Sequence, residues 1–506
     1  MIKLFKINEI IKKIPVLKKN KKKIGLLNGV FDVIHHGHIL HFEDAKKKCD
    51  YLILSITGDK FVNKGPNKPY FNIEQRIKML SSISYINAII VNDDINAVNI
   101  IKKIKPTFFI KGSDYSNFQK DITGNILKEK KAVVSVKGSL LITKTELFSS
   151  SKIIREKFNF LNDDFKKLFK FDEKTKLKKK IEVNFEKKLN DKILIIGEPI
   201  IDVNSFVEFL GRGSKSNIIS THHLFDQYIN GGSFLVANTL GNFFRNATIA
   251  LPYNKWVGKI CKKALNKNIK IQKIDSKNFK IVIKKRFVDN YRKNKLFQIN
   301  KNDYHDWDLE NKKKFNAKIL NLIKNNKYDK IIIFDYGHGL ITNNLIDNLN
   351  KLKSKLFINC QSNSSNFGFN SVTKYKGGKA ICMDELEFRL ISNDRKTPIP
   401  ELIKNNWNFI KKFSNFIITL GKNGCYIISN NKKTFVPTIY KNLDNTIGCG
   451  DVFFSMYATI NTMNKFNNKE VGFLSHLAAG MHAENSYNPK LVHPRSIIKV
   501  SKTLLD

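Results

Sequence analysis

The chain has 506 residues, which at about 100 to 200 residues per domain predicts more than one folded unit. Hydrophobic residues make up 42% of the chain and aromatic residues 11%, which supports sizeable cores and excludes a disordered or collagen-like protein. The formal net charge is +45, from 89 Lys and Arg against 44 Asp and Glu. Taken alone, that charge favours an anionic partner such as nucleic acid or a membrane surface.

The positive charge is mostly lysine, and it is spread along the chain among Asn, Ile and Phe. Nucleic-acid readers use arginine for bidentate contacts and concentrate charge on one face, whereas no segment here is rich in arginine. We therefore expect no nucleic-acid partner. The six cysteines form no CxxC pair, so we expect neither disulfides nor a zinc site, and a cytoplasmic location. No apolar run reaches the 18 residues of a membrane span, so we expect no membrane partner.

The first predicted elements belong to an α/β block. Residues 1–23 form a basic segment without the continuous apolar core of a signal peptide. Over residues 24–158, short apolar runs alternate with stretches of helical spacing; the runs are IGLLNGVF, YLILSIT, INAIIVN, TFFIKG and AVVSVK. This alternation predicts repeated β-α units and a parallel sheet covered by helices.

A second block follows a change in composition. Residues 159–190 are mostly Lys, Asp, Glu and Phe without Gly or Pro, which predicts a charged helical linker. Residues 191–506 again read as α/β, with strand candidates at 330–335, 355–359, 416–420 and 425–429. Two polar runs, at 280–288 and 293–300, predict a β-hairpin suited to a small lid.

The motif NGVFDVIHHGHILHF carries the chemistry of the first block. A strand ends at Phe31, Asp32 follows, and His35 and His38 flank a glycine at a predicted helix start. Histidines at a helix N-terminus can bind a triphosphate and stabilise the charge that develops during attack at the α-phosphorus. A buried, hydrogen-bonded histidine pair is the alternative interpretation.

Later segments add cations and hydroxyls. KGPNKPYFNIEQRIKML puts Lys64 in a Gly/Pro loop and Arg76 on the next helix, where the two cations could bracket a phosphate. A surface loop and helix is the alternative. IKGSDY places Lys111 and Asp114 at a strand end, and KTELFSSSKII supplies hydroxyls that open the last helix of the block.

In order and spacing, these segments resemble the cytidylyltransferase-like nucleotidyltransferases, and KTELFSSSKII resembles their signature RTEGISTS. The resemblance implies a Rossmann-like fold, Mg²⁺, and attack of a phosphate monoester on the α-phosphorus of ATP or CTP with release of pyrophosphate. It implies catalysis by His35, His38 and Lys64, substrate binding by Asp114, and nucleotide binding by Gly29, Phe31, Asp32, Arg76, Lys111, Ser149 and Ser150. Lys144 and Leu147 depart from the Arg and Gly of the signature.

The motif NTIGCGDVFFSMYATI carries the chemistry of the second block. Gly448, Cys449 and Gly450 precede Asp451 where an apolar helix begins. Small residues let backbone amides converge on a migrating γ-phosphoryl group, while Asp451 can take the proton of the attacking hydroxyl. A Gly-rich turn with an exposed aspartate is the alternative.

This stretch resembles the DTTGAGD signature of ribokinase-like (PfkB) sugar kinases, and residues 191–500 follow that family's pattern. The resemblance implies a ribokinase-like α/β domain with a small β lid. It assigns sugar binding to Asp202, Gly231, Gly232, Asn238 and Asp335, magnesium to Asp384 and Glu387, and the nucleotide to Thr419, Gly421, Gly424, Gly448, Cys449 and Gly450. Leu235 stands where the family usually has Asn, so sugar selectivity is expected to differ.

The two domains together resemble the bifunctional ADP-heptose synthases, in which the kinase comes first, whereas here the transferase comes first. We expect an enzyme of nucleotide-sugar synthesis with sugar phosphates and nucleotides as partners, and a homodimer as the candidate assembly. One alternative is a CTP-dependent cytidylyltransferase for an alditol or sugar phosphate fused to a separate sugar kinase. Another is a basic nucleic-acid binder on degenerate enzyme folds, which predicts lost catalytic residues, yet His35, His38 and Asp451 are present.

Overall fold

The computed structural model describes residues 3–62, 69–112, 125–143, 161–212, 218–292, 294–302, 308–441, 446–483 and 491–505. The predictions for Lys64, Asp114, Ser149 and Ser150 lie outside the described residues. The chain divides into two compact units, Met1–Phe160 with Ile498–Asp506, and Leu161–Ile497. Within the described ranges, no helix combines the length and the apolar character that a bilayer crossing needs.

The first unit is built on a five-stranded parallel sheet of order β3-β2-β1-β4-β5. Its strands are β1 Ile24–Gly29, β2 Tyr51–Thr57, β3 Ala88–Asn92, β4 Phe108–Lys111 and β5 Ser139–Ile142. Its helices are α1 Ile7–Lys19, α2 His36–Lys48, α3 Ile73–Ser81, α4 Val98–Ile104 and α5 Asn125–Ser135. Helices α1, α4 and α5 cover one face and α2 and α3 the other, so the strands are continuous apolar runs.

The sheet order positions a site in this unit. Because β1 lies between β2 and β4, successive connections leave β1 toward opposite sides of the sheet. In doubly wound folds, ligands bind at this reversal, outside the carboxyl ends of the strands. The loop after β1 carries His35 and leads into α2, which places the first motif there.

Two predictions for the first unit were wrong in detail. The apolar run at 132–137 lies mostly in α5, and the fifth strand is Ser139–Ile142. Val133 is buried while Val134 is 59% exposed, as an amphipathic helix requires. The basic segment 1–23 contains α1, whose Ile10 and Ile14 are buried in the core of the unit, so it is part of the domain.

The second unit contains a nine-stranded sheet of order β10-β9-β6-β13-β14-β15-β16-β17-β18. Its strands are β6 Leu189–Gly197, β9 Phe244–Tyr253, β10 Lys270–Asp275, β13 Lys330–Asp335, β14 Leu356–Cys360, β15 Ala380–Asp384, β16 Asn415–Thr419, β17 Cys425–Ser429 and β18 Lys432–Val436. The four strands predicted in this block correspond to β13, β14, β16 and β17. The strands from β10 to β16 are parallel, and β17 and β18 extend the sheet antiparallel.

A separate four-stranded sheet, the lid, has the order β12-β11-β7-β8. Its strands are β7 Pro199–Arg212, β8 Ile219–Gly231, β11 Val282–Asp289 and β12 Lys295–Lys301. The predicted hairpin corresponds to β11 and β12, which pair antiparallel. The long β7–β8 hairpin completes the lid. This hairpin was not predicted from the sequence.

The helices of the second unit enclose the main sheet. They are α6 Asp163–Lys166, α7 Phe171–Phe185, α8 Gly232–Phe243, α9 Lys255–Ala264, α10 Leu309–Asn325, α11 Asn343–Leu349, α12 Glu385–Ser392, α13 Ile399–Asn405, α14 Trp407–Ile410, α15 Cys449–Met463 and α16 Asn468–Ala483; α17 Pro494–Leu505 follows. Helix α15 is almost entirely buried and packs against α8 and α16. Its first residues therefore reach the carboxyl edge of the sheet from inside the domain.

The segment predicted as a charged linker is helical, but it packs on the second unit. Leu177, Ile181 and Phe185 are buried at four-residue spacing along α7. The Phe185 ring contacts the ring of Phe243, and Lys180 forms an ion pair of 2.6 Å with Glu470. The many lysines on the other faces of α7 hid this apolar stripe in the sequence. The second unit consequently begins at Leu161 rather than at residue 191.

Candidate active sites

Helix α2 of the first unit begins with the histidine motif. His35 is the N-cap of α2, and its ring stacks on the ring of His38 with 3.9 Å between centroids. Phe31 is buried with φ of +50°, an uncommon conformation for a bulky residue and one that often marks a functional turn. A Cβ at Gly29 would lie 2.9 Å from the Phe31 ring. The structure thus brings Gly29, Phe31, His35 and His38 together at the carboxyl end of β1.

Asp32 was predicted to bind nucleotide, but its carboxylate is used within the protein. It is 3% exposed and accepts hydrogen bonds from the backbone amides of Tyr70 at 2.8 Å and Phe71 at 2.9 Å. Both oxygens therefore hold the segment that precedes α3. Asp32 positions this loop beside the histidines, and nucleotide binding by its carboxylate stays a prediction.

Arg76 was predicted to bracket a phosphate, and the structure contradicts this. Its side chain is fully buried, and its guanidinium donates to the carbonyl oxygens of Val30, Thr57 and Phe71 and to Asp59. These partners come from the ends of β1 and β2 and from the loop before α3. A buried guanidinium whose donors are committed in this way joins the loops around the site and does not reach a phosphate.

Lys111 was also predicted as a nucleotide ligand. It forms a buried ion pair of 2.9 Å with Glu129, whose other oxygen accepts from the Ala97 amide at 2.9 Å. The pair links the end of β4 to helices α4 and α5. Since one buried charge without its partner is costly, Lys111 and Glu129 stabilise each other here, and nucleotide binding by Lys111 stays a prediction.

His41 was not singled out from the sequence. It lies one helical turn after His38 on the same face of α2, and its Nδ1 is 2.8 Å from the Thr143 hydroxyl after β5. Burial lowers the pKa of His41 to about 4, so the ring is neutral at pH 7. The spacing of three residues from His38 is the signal that could have identified it.

In the second unit, two cavities meet at the start of α15. The first, which we call the lid cavity, has a volume of about 130 Å³ and lies between the lid strands and α15; Asp202, Gly231, Gly232, Gly448 and Asp451 line it. The second, the turn cavity, has about 490 Å³; Thr419, Gly421, Cys449 and Gly450 line it. Three of the predicted sugar residues thus line the lid cavity and four of the predicted nucleotide residues line the turn cavity, while Gly448 lies on the side of the lid cavity.

Asp451 lies between the lid cavity and the turn cavity. It is 7% exposed in the first turn of α15, and Gln361 donates to its Oδ1 at 2.7 Å. Burial raises the pKa of Asp451 to about 7, although Gln361 acts in the opposite direction. A carboxyl with a pKa near neutrality is suited to general-base chemistry at pH 7.

The local geometry before Asp451 requires a glycine at position 448. Gly448 has φ of +74°, and a Cβ there would lie 2.7 Å from Leu235 and 2.9 Å from His482. The Cys449 amide donates to the Thr446 carbonyl at 3.1 Å, whereas the amides of Gly450 and Asp451 lie in the first turn of α15 and point toward the helix start. Such amides favour an anion at this end of the helix. Gly424, by contrast, has φ of +114° and closes the turn against the Val436 carbonyl, outside the turn-cavity lining.

The acids predicted to hold magnesium form a helix cap. Asp384 is the N-cap of α12 and accepts from the Glu387 amide, while Glu387 accepts from the amides of Asp384 and Ser362. Burial raises the pKa of Glu387 to about 8. Each Glu387 oxygen accepts one hydrogen bond, while Asp384 also lines the turn cavity, so magnesium binding by this pair stays a prediction. Among the residues that the structure describes, no three His, Cys, Asp or Glu side chains are grouped to hold a metal.

Asp202 lines the lid cavity, but a cation neutralises it. Arg286 of β11 contacts its Oδ1 at 2.5 Å, and a Cβ at Gly231 would clash with its Oδ2. Lys284 lines the same cavity, and Lys295 lies near enough to both Arg286 and Asp202 for their charges to influence its pKa. These three cations were not predicted from the sequence, because no local motif connects them to Asp202.

Two residues predicted to bind sugar are structural. Asn238 is buried and pairs with the backbone of Ala264 and Asn266, so it does not face the lid cavity. Asp335 is 1% exposed, and its carboxylate accepts from Tyr375, Asn370 and Gly337 and pairs with Lys374. It organises the loop after β14. Leu235, the departure from the family pattern, lines the lid cavity itself.

Two protein-family models match this chain, one in each of its two units. Residues 26–157 match the cytidylyltransferase-like family, and residues 286–460 match the pfkB family of carbohydrate kinases. The chain therefore carries a cytidylyltransferase-like domain followed by a pfkB family carbohydrate kinase domain.

Curated relatives are similar over part of their length. Bifunctional protein HldE of Campylobacter jejuni strain RM1221 is 34% identical over 151 residues, which are 28% of this chain and 29% of the relative. Bifunctional protein HldE of Blochmanniella floridana is 36% identical over 105 residues, 20% of this chain and 22% of the relative. The matched segments thus span less than a third of these relatives.

Solved structures with a similar fold include sugar kinases. Phosphofructokinase-2 of Escherichia coli, in complex with potassium, aligns with 62% of this chain and 99% of its own, at a TM-score of 0.48 and 11% identity. Ribokinase of Thermotoga maritima aligns with 62% of this chain and 99% of its own, at a TM-score of 0.44 and 15% identity.

Proposed function

We propose that the chain is a bifunctional enzyme of nucleotide-sugar synthesis. Its second unit phosphorylates a sugar phosphate with ATP, and its first unit transfers a nucleotidyl group from ATP or CTP to a sugar 1-phosphate. The observation that carries the proposal is the position of Asp451, which is buried at the start of α15 between the lid cavity and the turn cavity.

The kinase step follows from that position. The acceptor sugar occupies the lid cavity, and its hydroxyl gives its proton to the Asp451 carboxylate while its oxygen attacks the γ-phosphorus of ATP. The bond from the γ-phosphorus to the β,γ-bridging oxygen breaks, and ADP leaves with that electron pair. The amides of Gly450 and Asp451, in the first turn of α15, face the migrating phosphoryl group and stabilise its charge. The nucleotide lies in the turn cavity, beside Thr419 and Gly421.

The lid cavity favours an acceptor that already carries a phosphate. Lys284 and Arg286 line it, and Lys295 is close enough to interact with the charges of Asp202 and Arg286, whereas a neutral sugar needs no such cations. Arg286 is paired with Asp202 in the absence of substrate. A phosphate on the sugar would share these cations with Asp202.

The transferase step is supported by the His35 and His38 pair at the start of α2. There the helix terminus and two imidazoles can stabilise an α-phosphate as the sugar 1-phosphate oxygen attacks it and pyrophosphate leaves. Asp32 and Arg76 support the surrounding loops. Mg²⁺ is typical of both families and supplies charge neutralisation of nucleotide phosphates when bound; the described side chains do not offer it a preformed site.

If the two steps are consecutive, a phosphatase must act between them, because the kinase product is a sugar bisphosphate and the transferase substrate is a sugar 1-phosphate. The second candidate function keeps the kinase and has the first unit transfer a cytidylyl group to an alditol or sugar phosphate. The two candidate functions differ in the nucleotide that the first unit uses.

The test is a screen of the purified chain with ATP and with CTP against sugar phosphates, in which ADP and pyrophosphate are measured separately. We expect ADP formation with ATP and a sugar phosphate, and pyrophosphate formation with a sugar 1-phosphate. Pyrophosphate release with CTP alone and an alditol phosphate would favour the second candidate. Absence of both products across the panel, with a folded protein, would contradict the proposal.

A further inference from the structure

Gln361 contacts the proposed base directly. It follows the last residue of β14, and its Nε2 donates to Asp451 Oδ1 at 2.7 Å and to Asn359 Oδ1 at 2.6 Å. Asn359 is buried and donates in turn to the Cys382 carbonyl at 3.2 Å. Both amide hydrogens of Gln361 are thus used, and the chain of hydrogen bonds is anchored in the main sheet.

This anchoring fixes the orientation of the carboxylate. Gln361 and Asp451 both line the lid cavity, so the amide holds one carboxylate oxygen at the edge of the space that the acceptor occupies. Without a donor at Oδ1, the Asp451 side chain would gain rotational freedom about its Cβ–Cγ bond. Proton transfer from the acceptor hydroxyl to a general base is slower when the orientation of that base is not restricted.

The lack of charge on Gln361 also affects the basicity of Asp451. A hydrogen bond to the ionised form of a carboxyl stabilises that form, and a neutral donor does so less than a cation. In a buried site, a lysine or arginine at this position would stabilise the carboxylate more strongly and make it a weaker base. A neutral amide allows the carboxyl to ionise near neutral pH and to retain its basicity.

We propose that Gln361 is the positioning residue of the general base Asp451, orienting its carboxylate and favouring its ionised form during phosphoryl transfer. The inference rests on the proposed kinase function. In the step, the acceptor proton moves to Asp451 while the acceptor oxygen bonds to the γ-phosphorus and ADP departs; Gln361 keeps both of its hydrogens.

Other groups also act on the charge of Asp451, and the test must separate them from Gln361. Those that face it from the surrounding elements are Asp202 of β7, Lys284 of β11, Tyr336 after β13, Glu387 of α12, Cys449 of α15 and His482 of α16. The variants below leave all of these in place.

The experiment compares Gln361→Met with the wild-type chain in an ADP-release assay between pH 5 and 9. Methionine has nearly the same length but donates no hydrogen bond. We expect kcat to fall by about ten- to hundredfold, as for a lost hydrogen bond to a charged group. We expect the acidic limb of kcat/KM to move upward by about one pH unit. The KM for ATP should stay unchanged, because the turn cavity is not altered.

Ser362→Ala is the matched control. Ser362 follows Gln361 in the same loop, and its hydroxyl accepts a hydrogen bond from the Gly368 amide at 2.8 Å, away from Asp451 and Tyr336. We expect the acidic limb of this variant to stay at the wild-type position. An equal shift in both variants would overturn the inference, since the loop as a whole would then set the pH profile.

A second variant keeps the inference testable if Gln361→Met does not fold. Gln361→Glu retains the shape of the side chain but brings a second carboxyl to Asp451, so its acidic limb should move further upward than in Gln361→Met. A folded variant of either kind with a wild-type acidic limb would overturn the inference while the kinase function stands. A wild-type chain without ADP release would instead contradict the proposed function.

Discussion

The two units use their charged residues differently. In the first unit, Asp32, Arg76 and Lys111 are buried and paired within the protein, where they connect loops and helices. In the second unit, Asp451 is equally buried but lines a cavity and is contacted by a neutral amide. The difference teaches that a charged residue near a motif indicates a ligand contact only where the structure leaves it a space to face.

The largest effect is expected for the acid that faces a cavity. Asp451→Asn removes the base but keeps the size and polarity of the side chain, so sugar phosphorylation should fall by about 10² or more. ADP release in the presence of acceptor measures this. Near wild-type ADP release from the variant would show that Asp451 has a structural role, as the paired residues of the first unit do.

A large effect on stability is expected for Arg76→Leu. Removing the guanidinium leaves one buried and two half-buried carbonyl oxygens without their donor, so the free energy of unfolding of the first unit should fall by about 3 kcal/mol. Chemical denaturation monitored in the first unit measures it. A phosphate ligand would behave differently: the variant would keep its stability and instead show a raised KM for the nucleotide.

The packing of α7 gives a similar expectation in the second unit. Phe185→Ala should lower the free energy of unfolding of this unit by about 3 kcal/mol, because a buried aromatic ring is lost. Val183→Ala on the same helix is the control, since Val183 is 73% exposed. Equal and small effects of the two substitutions would restore the interpretation of this segment as a linker.

A smaller effect is expected on the pH dependence of stability. Asp451 has a pKa of about 7 in the folded state against 3.8 ordinarily, so between about pH 4 and 7 the folded state binds more protons than the unfolded state. Raising the pH through this window therefore destabilises the fold. Asp451→Asn should raise the melting temperature at pH 8 by roughly 1 to 2 °C, the change that about 1 kcal/mol causes in a unit as long as Leu161–Ile497. The same variant should have no such advantage at pH 4, and equal shifts at both pH values would contradict this reasoning.

Much of the fold could be predicted because local patterns determine it. Buried parallel strands such as β2 and β13 are continuous apolar runs, and the lid hairpin is recognisable by its polar character. The run at 132–137 was wrongly predicted to be a strand, because a buried helix face and a short strand contain the same kinds of apolar residue. The stripe on α7 was hidden by lysines on its other faces.

The sites were predictable where glycine and helix starts define them, as at Gly448 and His35. They were not predictable where distant elements meet. Arg286 contacts Asp202 from another strand, and Gln361 contacts Asp451 from a distant loop. The partners are 84 and 90 positions apart in the sequence. Nothing local in the sequence marks these pairs, and burial of Arg76 depends on the packing of three separate loops.

The central claim is that one chain holds two separate active sites, and a paired assay tests it most directly. ADP and pyrophosphate release are measured for the wild-type chain, Asp451→Asn and His38→Ala at equal concentrations, with folding checked by thermal melting. We expect Asp451→Asn to lose ADP release and keep pyrophosphate release, and His38→Ala to show the reverse. Loss of both products in either folded variant would contradict the account.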